Sequence, residues 1–269
     1  MRNALGHAIT RKVIHLISIV GVIGLVCLNV ASQPAANDCA EAKAQLTRAE
    51  TKLNDWPALA RYREANTKLA GPSKPEPRVV FMGDSITDSW DDPKYGGFFP
   101  GHPYIDRGIS GQTTPQMLVR FRADVIALHP GVVVILAGTN DLAGNTGPMT
   151  LEAIEDNLTS MAELARENRI HVVLASMLPV SDYEARDGKP IIRTTERPPE
   201  KIKALNAWMK HYAVASKLTY LDYYSAMMDV HGFLKEELSE DGLHPNAKGY
   251  AVMAPLAEQS IAKALKSKN

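Results

Sequence analysis

Ser85 closes the run Val79-Val80-Phe81-Met82-Gly83-Asp84-Ser85-Ile86-Thr87, where its type and place suit nucleophilic chemistry. Four bulky apolar residues, two of them β-branched among the first pair, predict a parallel strand buried on both faces. Gly83 lets the chain turn, and the two side chains that follow are small and polar. In open α/β sheets chemistry gathers at the carboxyl ends of strands, which is where Ser85 would stand. A serine leaving a strand is also a common helix cap, so the hydroxyl alone does not decide. A second segment, Asp241-Gly242-Leu243-His244-Pro245-Asn246, sets a carboxylate three residues before an imidazole. Gly242 and Pro245 favour a turn there. In such a turn the carboxylate can reach Nδ1–H of the same ring and leave Nε2 to take a proton. Read by itself, the segment is better taken as a surface Asp-Gly turn with an incidental histidine.

The other histidines are weaker candidates. His7 and His15 lie in an apolar N-terminal stretch, and His102, His129, His171, His211 and His231 have no acid in a rigid local turn with them. Asp84 neighbours Ser85, but adjacent residues leaving a strand point in different directions. It reads as scaffold that accepts bonds from nearby backbone, as does Asp141. Asp88, Asp91 and Asp92 invite a metal reading with Asp241 and His244, yet their spacing matches no known metal loop. Two more segments bear on the first pair: Arg107-Gly108-Ile109-Ser110-Gly111-Gln112-Thr113-Thr114 and Val132-Val133-Val134-Ile135-Leu136-Ala137-Gly138-Thr139-Asn140-Asp141.

Taken in order, these four segments resemble the signature blocks of the SGNH (GDSL) hydrolase superfamily of esterases and lipases, over roughly residues 78–266. The resemblance implies Ser85 as nucleophile, His244 as base and Asp241 orienting it. It implies an oxyanion hole made of the Ser85 and Gly111 backbone N–H groups and the Asn140 side-chain amide, with no metal and no cofactor. The expected activity is hydrolysis of carboxylic esters through an acyl-enzyme on Ser85. Members with a similar Gly-Asp-Ser-Ile-Thr-Asp start, including acetyl esterases and platelet-activating-factor acetylhydrolase-like enzymes, tilt the expectation toward short acyl groups such as acetyl. The alternatives are a lysophospholipase or thioesterase with a longer acyl groove, and a carbohydrate acetylesterase. A catalytically dead binding module has no reason to keep Ser85, Asp241 and His244 together. A flavin protein would want a phosphate-cradling loop where Asp84 stands.

The elements that must position these residues alternate. Strands are expected at 79–83, 104–108, 132–137, 170–176 and 218–222, and helices at 114–128, 150–168, 199–216 and 247–265. Strands separated by helical stretches imply right-handed crossovers and a parallel sheet. The expectation is a flavodoxin-like three-layer α/β/α sandwich with a five-stranded parallel sheet, preceded by a short helical segment. The long stretches 86–103 and 178–199 leave strand carboxyl ends and should wall the site. The first carries Trp90, Tyr95, Phe98 and Phe99, which could line an acyl groove or close the core. The second carries Lys189, Arg193 and Arg197, which could meet an acidic or sugar substrate or merely face water.

At 269 residues and 45% apolar content, the chain can bury one substantial core. Lys+Arg and Asp+Glu balance at 30 each, which does not suit a nucleic-acid binder. The expected partner is a small-molecule ester. Residues 1–36 hold Arg2, Arg11 and Lys12, no acid, and an apolar run from Val13 to Leu28. That run is short for a membrane span of about 20 residues. It reads as an export signal, and less well as an uncleaved anchor, giving a periplasmic or extracellular protein. Val26 is too bulky for the position before a lipidated Cys27, and Cys39 alone would remain without a disulfide partner. Residues 37–70 read as a helical pre-segment, with Pro57 opening a second helix and Leu53, Trp56, Leu59 and Tyr62 forming a stripe. Residues 71–77 read as a proline-rich linker, and 78–269 as the catalytic domain.

Overall fold

The computed structural model describes residues 36–71, 76–184 and 190–267. The expected export signal, apart from Ala36, lies outside the described residues, as do Cys27 and Lys189. The chain divides into two compact units, Met1–Asn54 and Asp55–Asn269. In the first, helix α1 spans Ala36–Asn54. Among the described residues no helix is long and apolar enough to cross a membrane.

The second unit opens with a turn where the sequence led us to expect a helix from Pro57. The Asp55 carboxylate accepts bonds from Leu59 N–H (2.8 Å) and Ala60 N–H (2.9 Å), and Ala58 takes a left-handed φ of 56°. Together these divert the chain, so helix α2 begins only at Arg63 and ends at Lys68. Within this unit the anticipated apolar stripe is not formed: Trp56 and Leu59 expose 42% and 37% of their surface, whereas Tyr62 is half-buried and bonded into the domain. Its hydroxyl donates to Gly108 C=O, and the Arg107 guanidinium lies 4.6 Å above its ring. Asn66 on α2 donates to the Asp124 carboxylate (2.8 Å) and accepts from Arg107 (2.7 Å). Residues 55–70 thus join the same unit as the sheet through polar bonds.

Five parallel strands form the sheet: β1 Val79–Gly83, β2 Tyr104–Gly108, β3 Val132–Leu136, β4 His171–Ala175 and β5 Thr219–Leu221. Their order is β2-β1-β3-β4-β5, the flavodoxin-like arrangement expected. Every residue of β1 and β3 is buried, as continuous apolar runs require when both faces are covered. Alternate residues feed two cores. Val80 and Met82 pack with Met117 and Phe121 of α4 (Thr114–Asp124), Leu158 of α6 (Leu151–Glu167) and Leu205 of α7 (Pro199–Ala215). Val79 and Phe81 pack on the opposite side with Tyr223 of α8 (Tyr223–Met227) and Met253 and Ile261 of α9 (Ala247–Lys266). Two short helices, α3 (Ser85–Asp88) and α5 (Thr139–Leu142), sit directly on strand ends. Helix α4 stops four residues short of the expected 128 because Val125 leaves helical geometry, and a 3₁₀ turn covers Ile126–Leu128.

Register aligns Gly83 with both Gly108 and Leu136, so three strands end flush at one edge. The two glycines matter less for turning than for contact. A Cβ on Gly83 would overlap the Thr87 side chain, and one on Gly108 would overlap the Asp88 backbone. Their absence lets α3 settle onto β1 and β2. Gly108→Ala should therefore lower stability by about 1–3 kcal/mol through overpacking, read as a drop in the urea midpoint at unchanged m-value.

Candidate active site

The flush strand ends deliver three segments to one place. Ser85 is the first residue of α3, and the Asp84 side chain caps that helix by accepting from Ile86 N–H at 3.0 Å. From the far end of the chain, the turn before α9 brings His244 to it: Ser85 Oγ and His244 Nε2 lie 2.9 Å apart across 159 residues. Asp241 Oδ2 accepts from His244 Nδ1 at 2.8 Å, and its Oδ1 accepts from the backbone N–H of Leu243 (3.0 Å) and His244 (2.8 Å). One carboxylate thus shapes the turn and holds the ring. Gly242 serves this turn with φ 73°, and a Cβ there would overlap Ser181 C=O. Asn246 caps α9 by accepting from Lys248 and Gly249 N–H, and the Tyr250 hydroxyl donates to Ile86 C=O at 2.8 Å. That bond ties α9, which follows the histidine turn, to the serine-bearing helix α3.

Gly111 and Asn140 approach from the neighbouring strands. Asp88 at the end of α3 accepts from Ser110 N–H (3.0 Å) and Ser110 Oγ (2.6 Å), Gly111 takes φ 80°, and Asn145 Nδ2 donates to Gly111 C=O. Asn140 is buried and donates from Nδ2 to Gln112 C=O at 3.0 Å, which fixes its amide plane. Asp141 accepts from Thr114 N–H and Oγ1, joining α5 to the start of α4. The scaffold reading of Asp84 and Asp141 agrees with these bonds. Among the described residues no group of His, Cys, Asp and Glu could hold a metal ion.

Ser85, Gly111, Asn140, Asp241 and His244 line one open cleft of about 1030 Å³. Both long stretches wall it, Ser89, Lys94 and Tyr95 from the first, Arg193 and Arg197 from the second. Trp90, Phe98 and Phe99 instead pack edge-on or tilted against Phe81 in the core beside α9, with ring centroids 5.0–6.1 Å apart. They close the core.

Arg193 is the residue that sequence reasoning left undecided. Its backbone N–H is held by Asp182 (2.6 Å), and its guanidinium donates to both Asp241 C=O (3.0 Å) and Asp241 Oδ2 (3.1 Å). Burial pushes the Asp241 carboxyl up, but the His244 ring and backbone N–H, the His244 charge and the Leu243 N–H outweigh it and hold the group well below the ordinary range. Asp84 behaves oppositely. Burial pushes it from 3.8 to about 6, against the Ile86 N–H and the charges of His244 and Arg197. The folded state therefore keeps the Asp84 proton to higher pH than the unfolded chain, and stability due to it falls as pH rises from about 4 to about 6. Asp84→Asn should remove that component, flattening the urea-derived stability profile across this window.

Residues 81–252 match the GDSL-like lipase/acylhydrolase family, and the chain belongs to it. It is accordingly a hydrolase of carboxylic esters, of the SGNH superfamily. A Bacteroides fragilis protein described as an acylhydrolase is 44% identical, with TM-score 0.71 over 79% of this chain and 99% of its own. A GDSL-like lipase of Bacteroides thetaiotaomicron is also 44% identical, with TM-score 0.70 over 77% and 98%. The acetylxylan esterase Axe2 of Geobacillus stearothermophilus shares the fold at 20% identity and TM-score 0.56, over 74% and 99%. The lipoprotein YqeF of Bacillus subtilis is 32% identical over 79 residues, which are 28% of this chain and 32% of that protein, so the match spans about a third of its length.

Proposed function

We propose that the chain is a serine esterase that removes short acyl groups, acetyl foremost, through an acyl-enzyme on Ser85. The observation that carries this reading is the unbroken row Ser85 Oγ···His244 Nε2 and His244 Nδ1···Asp241 Oδ2, open to a cleft. His244 takes the Ser85 proton as the oxygen attacks the ester carbonyl. The backbone N–H groups of Ser85 and Gly111 and the Asn140 amide receive the oxyanion, and Asn140 keeps a second N–H beyond the one bonded to Gln112. His244 then passes its proton to the departing alcohol. Water, deprotonated by the same imidazole, attacks the acyl-enzyme and returns Ser85 with a free acid. Asp241 stays ionised and orients the ring, and Arg193 holds Asp241.

The short-acyl preference is supported by the cleft wall. Most of its lining residues are polar or charged, and of the aromatics in the first long stretch only Tyr95 faces it, Trp90, Phe98 and Phe99 being used in the core. This disfavours the lysophospholipase or thioesterase alternative and leaves a carbohydrate acetylesterase open, a reading in keeping with the Axe2 fold. Export is supported by the basic and apolar start of the chain and by a lipoprotein relative.

Purified protein should cleave p-nitrophenyl acetate and butyrate, with kcat/KM falling through octanoate to palmitate. Ser85→Ala and His244→Ala should each lower kcat by about six orders of magnitude, and Asn140→Ala by about two to three. Retained turnover in Ser85→Ala would overturn the assignment. Arg193→Met should lower kcat about tenfold by loosening a charge-assisted bond. It should also move the acidic limb of kcat/KM to higher pH, since a cation opposing the imidazolium is removed. Arg193→Lys should restore the limb in part. A variant that lost packing alone would leave the limb where it was.

A further inference from the structure

Arg197 is 5% exposed, yet it lines the same cleft as Ser85 and His244. It is held one turn after Arg193, its backbone N–H bonded to Arg193 C=O at 3.0 Å. Its guanidinium is poorly satisfied. Nη1 donates to Glu196 (2.9 Å), a glutamate whose own side chain is 58% exposed, Nε is buried with no partner, and Nη2 makes no hydrogen bond among the described residues. A buried guanidinium with unmet donors is costly, and such groups in native proteins call for a specific explanation.

The charges around it supply one. Lys94, Arg193, Arg197 and Lys248 line the cleft against Glu240 and Asp241. Arg193 is committed to Asp241 and Lys94 to Asp92 (3.0 Å), which leaves Arg197 and Lys248. Lys248 is exposed in the first turn of α9 with no ion pair among the described residues, a position where a cation works against the helix dipole.

We infer that Arg197 and Lys248 form an anion subsite, and that the ester substrate carries a carboxylate close to its scissile bond. This rests on the esterase reading and narrows it to acidic esters. Nη2 of Arg197 and the Lys248 ammonium receive the carboxylate, which supplies the guanidinium with the countercharge that Glu196 gives only from the surface.

The test compares isosteric pairs at low salt. 4-Acetoxybenzoate against 4-acetoxybenzamide puts the charge on the alcohol portion; 4-nitrophenyl hydrogen succinate against 4-nitrophenyl succinamate puts it on the acyl portion. In one pair the anion should be preferred in kcat/KM by about tenfold or more, as a charge-assisted bond in a cleft provides. The preference should shrink as sodium chloride is raised. Whichever pair shows it identifies the portion that bears the carboxylate. Arg197→Gln and Lys248→Gln should each bring that ratio toward one, whatever the absolute rate. If Arg197→Gln does not fold, Arg197→Lys and the exposed-site variant Lys248→Gln carry the comparison. Ratios near or below one for both pairs in the native protein, or ratios unmoved by the substitutions, overturn the subsite. Failure of the folded protein to cleave even p-nitrophenyl acetate overturns the esterase reading itself, a separate result.

Discussion

One buried cation holds the carboxyl edge of the sheet together. Arg120, fully buried on the inward face of α4, donates to Gly83 C=O (3.0 Å), Gln112 Oε1 (2.5 Å) and Asp124 Oδ2 (3.2 Å). Burying a guanidinium is costly unless its donors are matched, and here all three nitrogens find acceptors on the strand end, loop and helix that frame the site. Gly83 is two residues before Ser85. Gln112 follows Gly111, receives the Asn140 amide on its carbonyl, and donates onward to Pro57 C=O at 2.8 Å. The three groups proposed to bind an oxyanion therefore hang from one planar, rigid fork. Burial lowers the Arg120 pKa, opposed by Asp124, but a guanidinium remains charged throughout the ordinary pH range. The brace has no titration of its own.

Apolar packing and polar bonding divide the work around that brace. The two cores fix where the strands lie and that their ends are flush, with a tolerance of side-chain packing. Hydrogen bonds then set the finer placement: Asp88 on Ser110, Asp141 on Thr114, Tyr250 on Ile86, and Asp241 on its own turn. Most of these acceptors are carboxylates fixed by backbone N–H groups, which are rigid donors. A site assembled across 159 residues of sequence needs such links, because neither the serine strand nor the histidine turn touches the other within its own element.

Much of this was legible in the chain. The strands were legible almost to the residue; β1 and β3 in particular are continuous apolar runs ending in Gly-Asp-Ser and Gly-Thr-Asn, because strands buried on both faces carry no polar alternation to blur them. Ser85, Asp241 and His244 stood out only through the four segments taken in order, since the Asp241–His244 turn read alone is an ordinary surface turn. The Pro57 turn was not legible, because Asp55 capping a turn and Ala58 at positive φ are properties of backbone geometry rather than pattern. Arg120 could have been found: it falls three after Met117 and four before Asp124, on the stripe that the helix buries, where an arginine demands partners. Arg193 and Arg197 could not, since charged residues in a proline-rich loop show no period that separates a buried one from a solvated one.

The two carboxylates nearest the serine show how environment, not sequence position, distributes charge. Asp84 is adjacent to Ser85 yet is buried with one backbone donor, so burial wins and its carboxyl rises to about 6. Asp241 is distant in sequence and buried less. It accepts from two backbone N–H groups and an imidazole, which hold its carboxyl as an anion, and it also pairs with the Arg193 guanidinium. In the mechanism proposed above, an imidazole that gains and loses a proton is served by a fixed anion and hindered by one that titrates alongside it. Arg193 sharpens this separation, because it adds a permanent cation to the carboxylate that must stay ionised. The loop that carries it also carries Arg197, so a single segment meets the Asp241 carboxylate on one side and the cleft wall on the other.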